Sequence, residues 1–228
     1  MKTPWRVDAE KMLYNDAGKN MPQNDPFPRS EFDDWAETYD LSVSDDQFPF
    51  TGYKILLEKI VILADIKPRM RILDLGSGTG NLALHFVPLD CDLWCTDFSA
   101  SMLEKAHQKI PIAHFVLSDL RGDWPPELNH PFDRIVSAYV FHHFELDQKI
   151  QILGKLIPHL EPTSRIIIGD IAFPDARRLE TIKVRVGDLW EDEFYWLADE
   201  AIPALENCGF KVEYKQVSTC AGIFKLKA

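Results

Sequence analysis

RILDLGSGTG, residues 71–80, decides how the rest of the chain is read. Ile72, Leu73 and Leu75 form an apolar run too short for a helix and closed by glycine, which predicts a buried strand over 71–75. Gly76, Gly78 and Gly80 then permit a tight turn and let a ligand approach the backbone, because glycine enters positive φ without a Cβ clash. A helix is expected directly afterwards, near Asn81 to Phe86, with its free N–H groups facing whatever the turn binds. Strand, glycine turn and helix together open a nucleotide-type α/β sheet. One detail departs from the dinucleotide fingerprint G-x-G-x-x-G: it demands glycine at position 81, where this chain has Asn81.

Working outward, the alternation repeats. CDLWCTD (91–97), AHFVLSD (113–119), FDRIVSAYV (132–140) and SRIIIGDIAF (164–173) read as strands. Helices are expected between them over SMLEKAHQK and near Asp147 to Leu160. Ser99 and Ser101 both suit the first helix's N-cap, and Ser101 with Glu104 matches a capping box. Such alternation implies βαβ units and a mainly parallel sheet. After Phe173 the rhythm changes: 175–190 reads as a charged helix, and Glu193 to Asn207 as a second one closed by Gly209. FKVEYKQVS and AGIFKLKA follow with a short connection, the mark of an antiparallel pair at the sheet edge. Upstream, Phe32, Trp35, Ala36 and Tyr39 recur at helical spacing behind Ser30 as N-cap, and an amphipathic helix runs from Tyr53 to Ala64. Residues 1–29, rich in Pro, Asn and Asp, form an arm with room for a short helix from Val7 to Tyr14.

A chain of 228 residues, 46% hydrophobic, can bury one full core. The net charge of −11 comes with no Lys/Arg cluster, so a nucleic-acid partner is not expected. Neither a basic, apolar leader nor a bilayer-length apolar run occurs, which leads to the expectation of a cytoplasmic protein without a membrane partner. Cys91, Cys95, Cys208 and Cys220 match no metal framework, and His85, His107, His114, His130 and His159 show no ligand spacing.

Three acids end successive strands in register, which places them along the carboxyl edge where α/β sheets bind ligands. Asp74 would repel a pyrophosphate and attract a cation such as the amino group and sulfonium of S-adenosylmethionine. Its plainer role is to cap local backbone. Asp97 either accepts the two hydroxyls of a ribose or caps the next helix. Asp119 either accepts from an adenine amino group, with Leu120 on the ring, or serves as a turn residue.

ILDLGSGTG (72–80), Asp97 with Ser99 and Met102–Leu103, and Ser118–Asp119 resemble the class I S-adenosylmethionine-dependent methyltransferases over nearly all of 30–228. FDDWAETYD (32–40), SGTGNL and IVSAYVFHHF look closest to the bacterial YrrT-like methyltransferases. The resemblance implies a Rossmann-like α/β fold with a seven-stranded, mostly parallel sheet in the order 3-2-1-4-5-7-6. Its last strand is antiparallel, and helices cover both faces. It divides the domain into a helical lid (30–66), a cofactor-binding core (69–173) and substrate-side helices with the terminal strand pair (174–228). S-Adenosylmethionine is the implied cofactor, held by Tyr39, Asp74, Gly76, Ser77, Gly78, Gly80, Asp97, Phe98, Asp119, Leu120 and Ser137. Tyr39 is alternatively one more member of its helix's apolar face, and Ser137 a small residue of a packed strand.

Methyl transfer needs proximity and alignment, with a base only where the acceptor must lose a proton. Candidates for that role are Tyr139, His142 and His143. Adjacent histidines point in different directions, so no shared metal is expected, and the plainer arrangement packs one and exposes the other. Asp170 either holds a cationic substrate or satisfies loop amides. Trp190, Phe194, Tyr195 and Trp196 read as core packing more than as a substrate wall. The fourth strand ends in Ser137-Ala138-Tyr139-Val140, with no Asn-Pro-Pro-Tyr-like step, which favours a small, partly apolar acceptor. A non-catalytic S-adenosylmethionine-binding protein and a nicotinamide-dependent oxidoreductase are the competing readings, and a homodimer stays open.

Overall fold

In a computed structural model, which describes residues 27–228, Arg71–Leu75 forms β1 in the middle of an eight-stranded sheet. The expected Val7–Tyr14 helix lies outside the described residues. The other long strands are β2 (Asp92–Asp97), β3 (His114–Leu117), β4 (Phe132–Ala138), β5 (Leu160–Phe173), β7 (Lys211–Gln216) and β8 (Ala221–Lys227). They run in the order β3-β2-β1-β4-β5-β8-β7, and a two-residue strand, β6 (Trp196–Leu197), pairs with the end of β5. β1 to β5 are parallel, whereas β8 is antiparallel to both β5 and β7. With β6 set aside this is the expected order.

Side chains alternate across the sheet with period two, so each strand feeds two cores. Ile72, Ile167 and Ile171 pack with Leu56, Leu57 and Ile60 of α3 (Tyr53–Ala64) on one face. Leu73, Leu75, Ile166 and Ile168 meet the opposite face. There they pack on Ile152, Leu153 and Leu156 of α5 (Leu146–Leu156) and Leu205 of α7 (Ala198–Asn207). Leu56, Ile60, Ile72 and Leu73 are fully buried, each such side chain contributing roughly 1.5–3 kcal/mol. Among the described residues no helix is long and apolar enough to cross a membrane.

Four local expectations are corrected. The helix expected near Asn81 to Phe86 is instead a 3-10 segment, Ala83–Leu89. Pro88 inside it lacks the N–H that an α-helical turn would use. The lid's first helix breaks in two, α1 (Arg29–Trp35) and α2 (Tyr39–Ser42), and Pro28 rather than Ser30 stands at the N-cap. The cap of α4 (Ala100–Lys109) is Ser99, whose Oγ accepts from Met102 N at 3.1 Å, so the Ser101 capping box does not form. Glu193 does not begin a helix. Tyr195 and Trp196 are buried aromatics that favour extended backbone, and Trp196 pairs with Ala172 in β6 before α7 starts at Ala198. The charged helix after β5 is α6 (Ala176–Val186).

Candidate active site

The carboxyl ends of β1, β2 and β4 open on one side of the sheet, and the glycine turn closes over them. Gly76 (φ 64°) and Gly78 (φ 53°) are left-handed, conformations that cost other residues about 1–2 kcal/mol. A Cβ on Gly76 would stand 2.4 Å from Val140 Cγ2. Ser77 N donates to Thr96 O at 2.8 Å, stitching the turn to β2.

Asp97 organises that turn. Its Oδ2 accepts from Gly78 N and its Oδ1 from Ser99 N, each at 2.9 Å. It therefore does the backbone work of a cap while keeping lone pairs toward the cavity. Burial pushes its pKa up to about 6 against the pull of those amides. Asp74 is 1% exposed, and neither carboxylate oxygen has a hydrogen-bond partner. Burial and the nearby Asp97 drive its pKa well above the ordinary carboxylate value; Ala83 N–H pulls the other way without reaching hydrogen-bond geometry. An unsatisfied buried carboxylate in a cavity wall is a standing demand for a donor, best met by a cation.

The lid is tied to this floor by acids that the sequence reading did not single out. Asp33 of α1 accepts from Ser99 Oγ at 2.6 Å. Asp40 of α2 accepts from Thr79 Oγ1 at 2.6 Å and Asn81 Nδ2 at 3.0 Å, and pairs with Lys109 at 2.6 Å. Asn81, where a dinucleotide turn would carry glycine, is thus a latch for the lid. Both acids lie in FDDWAETYD, but only the fold shows their partners, some forty to seventy positions away.

Together these walls enclose a cavity of about 570 Å³ that runs from Asp74 and Asp97 to His142, His143 and Glu193. Tyr39, Asp74, Gly76, Ser77, Gly78, Asp97, Phe98, Asp119, Leu120, Tyr139, His142 and His143 all line it. Trp35, Phe50 and Tyr53 add an aromatic side. Asp119 is forked by Arg121, whose Nη2 donates at 2.8 Å. Three expected site residues do not reach the cavity. Gly80 is packed against α4, where a Cβ would come within 3.2 Å of Ala106. Ser137 is 1% exposed and donates to Leu75 O at 2.8 Å, so Ala138 lines the wall in its place. Asp170 is fully buried behind His142 and takes the amide-satisfying role; it accepts from Ile171 N at 2.8 Å, Trp196 Nε1 at 3.1 Å, and both His142 N and Nδ1.

At the far end, the turn after β4 reverses the expectation for the histidine pair. Tyr139 sits at φ 56°, and a 3-10 turn over Phe141–His143 brings both imidazoles to one side, ring centroids 4.0 Å apart. Neither faces solvent freely: His142 is buried and His143 half-buried. His142 Nδ1 is 2.6 Å from Asp170 Oδ1, which assigns a proton to Nδ1, so that in the neutral ring the lone pair is on Nε2. Burial disfavours its cation, yet Asp170 and Glu193 raise its pKa above the ordinary value. Burial and the neighbouring His142 press His143 well below it. Glu193 enters from the segment between α6 and β6. Phe194 N donates to His142 O at 3.0 Å, and Lys149 Nζ donates to Phe194 O. Of the aromatic run, Trp196 and Tyr195 are core, and Trp190 stacks on Phe48.

A methyltransferase domain model matches residues 72–163. An uncharacterized methyltransferase of Anoxybacillus flavithermus is 33% identical over 201 residues, 80% of this chain and 89% of that protein. The methyltransferase YrrT of Halobacillus halophilus is 29% identical over 208 residues, 86% of this chain and 95% of that one. Among solved structures, a DhpI–SAM–HEP complex aligns with a TM-score of 0.68 at 21% identity, over 87% of this chain and 95% of that one. Magnesium protoporphyrin IX methyltransferase of Synechocystis, with bound SAH, aligns at 0.65 and 17% identity over 90% and 100%. The structural likenesses show a shared fold, and the sequence relatives show descent. The chain belongs to the methyltransferase family of these sequence relatives, built on the fold of the S-adenosylmethionine-dependent methyltransferases.

Proposed function

We propose that this enzyme carries the methyl group of S-adenosylmethionine to a small, partly apolar acceptor seated between the glycine turn and the His142–His143–Glu193 cluster. The observation that carries the reading is the continuity of the cavity: about 570 Å³ joins the unpartnered Asp74 carboxylate to the two histidines. That size is typical of small-molecule sites, roughly 300–1,000 Å³. A protein that only bound the cofactor would have no use for the second half.

The residues suit the cofactor part by part. Asp74 offers two free acceptor oxygens to an ammonium, and the Gly76–Gly78 backbone offers close approach without side chains. Asp97 has lone pairs for a pair of hydroxyls, and Leu120 an apolar surface beside Asp119 for the base. When bound, the sulfonium supplies a methyl carbon that an acceptor heteroatom takes while the carbon–sulfur electron pair returns to sulfur. The chain's own contribution is alignment and exclusion of water. Phe32, Trp35 and Phe50 roof the cavity, and the Asp33 and Asp40 latches hold that roof on the floor. Tyr139, His142 and His143 face the acceptor.

The test is turnover with purified enzyme, S-adenosylmethionine and panels of small phenols, thiols and amines, read as S-adenosylhomocysteine release with a product one methylene heavier. Acceptor-dependent release, lost in Asp97→Ala, is expected. Transfer only to protein or nucleic acid overturns the small-acceptor reading, and calorimetric binding of NADH in place of S-adenosylhomocysteine overturns the whole of it.

A further inference from the structure

We propose that His142, His143 and Glu193 form a divalent transition-metal site at the acceptor end of the cavity. The inference rests on the methyl-transfer reading for its chemical use, but not for its geometry. Among the described residues these three place one donor atom each within 4.8 Å of one another. His142 Nε2 and His143 Nδ1 each stand 3.7 Å from a different oxygen of Glu193. Those separations are too long for hydrogen bonds. They are close to the edge of a tetrahedron built on metal bonds of about 2.0–2.1 Å, roughly 3.3 Å.

Two further features point to a ligand. His143 Nδ1 is buried without any hydrogen-bond partner, a lone pair or donor aimed at its neighbours across a gap. Asp170, behind His142, holds Nδ1 at 2.6 Å and is itself locked by Ile171 N and Trp196 Nε1. A carboxylate behind a histidine fixes the tautomer and ring orientation so that the outer nitrogen is presented as a ligand. All three donors line the cavity, so a bound ion keeps open positions on the side where an acceptor arrives. Two imidazoles and a carboxylate with open coordination is a donor set for zinc or iron(II), and it is the arrangement of reactive rather than structural sites.

The site gives the acceptor end a chemistry that the cofactor half lacks. An acceptor X–H that coordinates through X is acidified and releases its proton to water. The X–C bond then forms as the C–S bond breaks, and the electron pair goes to sulfur. Glu193 and Asp170 offset the charge of the ion. Acceptors with a chelating oxygen, nitrogen or sulfur pair are the class this site would select.

Cobalt(II) is the probe, because its visible ligand-field absorption reports coordination without any turnover. Chelator-dialysed full-length enzyme is titrated with cobalt(II), and S-adenosylhomocysteine binding is measured by calorimetry on the same samples. One equivalent of cobalt(II) per chain should bind with intensified visible bands. His143→Ala and Glu193→Gln should abolish the bands while S-adenosylhomocysteine still binds. Asp170→Asn should weaken cobalt(II) binding by about 10–100-fold. Absence of saturable bands in the wild-type enzyme, or bands unchanged in His143→Ala and Glu193→Gln, overturns the site. Failure of the wild-type enzyme to bind S-adenosylhomocysteine is a separate result and counts against the methyl-transfer reading alone.

Discussion

Asp74→Asn should make the ligand-free enzyme more stable and its cofactor weaker, two shifts of opposite sign from a change of one atom. The side chain is 1% exposed and neither oxygen is hydrogen-bonded, so the folded chain holds a carboxylate that water no longer solvates. Burial and then Asp97 raise its pKa well above the usual value. A raised folded-state pKa means that the unfolded chain gives up this proton first. Stability is therefore lost as pH climbs from the unfolded pKa toward the folded one, by about 1.4 kcal/mol for each unit of that interval. Asparagine has the same shape and no charge. The variant escapes that loss, so its gain over the wild type should be larger at pH 8 than at pH 5.

Binding moves the other way. The ammonium of the cofactor loses a charge-assisted hydrogen bond worth about 1.5–3 kcal/mol, which is a roughly ten- to hundredfold weaker dissociation constant. Urea unfolding at the two pH values measures the first shift, and calorimetric titration with S-adenosylhomocysteine the second. An asparagine variant that unfolds more easily at pH 8 shows that the carboxylate is satisfied in the free enzyme. Unchanged affinity shows that no cation meets it. Either result refutes the assignment of Asp74.

Other consequences are more local. With the Asp97 pKa at about 6 and its anion needed to accept two hydroxyls, S-adenosylhomocysteine affinity should be flat above pH 7 and fall by up to about tenfold per unit below pH 6; a profile level to pH 5 counts against the ribose role. Gly76→Ala forces a Cβ to 2.4 Å from Val140 Cγ2 at φ 64°, so overpacking should cost about 1–3 kcal/mol by urea unfolding and disable cofactor binding, and a silent substitution would show that the turn is not held as described. Ser137→Ala removes a buried donor to Leu75 O and should cost about 1 kcal/mol of stability with no change in S-adenosylhomocysteine affinity; weakened binding would return Ser137 to the cofactor wall.

The sheet was legible because strand ends, turns and helix spacings are local facts. RILDL, the glycine turn and the acids at 74, 97 and 119 carried the order of the parallel strands, and the short link between the last two carried their antiparallel pairing. What failed locally failed for identifiable reasons. Pro88 turned a helix into a 3-10 segment, and the lid's apolar spacing continued through a break at residues 36–38. Trp196 was drawn into the sheet by its buried ring and by Asp170, a partner 26 positions away that no helical periodicity can reveal.

The site divides along the same line. The proposed cofactor half lies on strand ends, where position in the chain and position in space coincide, so the spacing places Asp74 and Asp97 on the cavity wall. Its acceptor half is made by convergence. Glu193 reaches His142 and His143 only because the segment before β6 is pinned by Phe194 N on His142 O and by Lys149 on Phe194 O. The histidines share a side only because Tyr139 takes a positive φ and the next residues tighten into a 3-10 turn. Adjacent residues diverge in a strand, and that rule misled because β4 ends at Ala138, four residues before His142. At a strand end, Asp170 suits a cationic substrate or the amides of a loop equally well, and here it accepts from the amides of His142 and Ile171. Yet it is the tie that orients His142, and a positioning group looks the same as a binding group until its partners are known. The proposed acceptor end is therefore built by contacts between segments some thirty to fifty residues apart, and a search for its acceptor starts from that cluster rather than from the glycine turn.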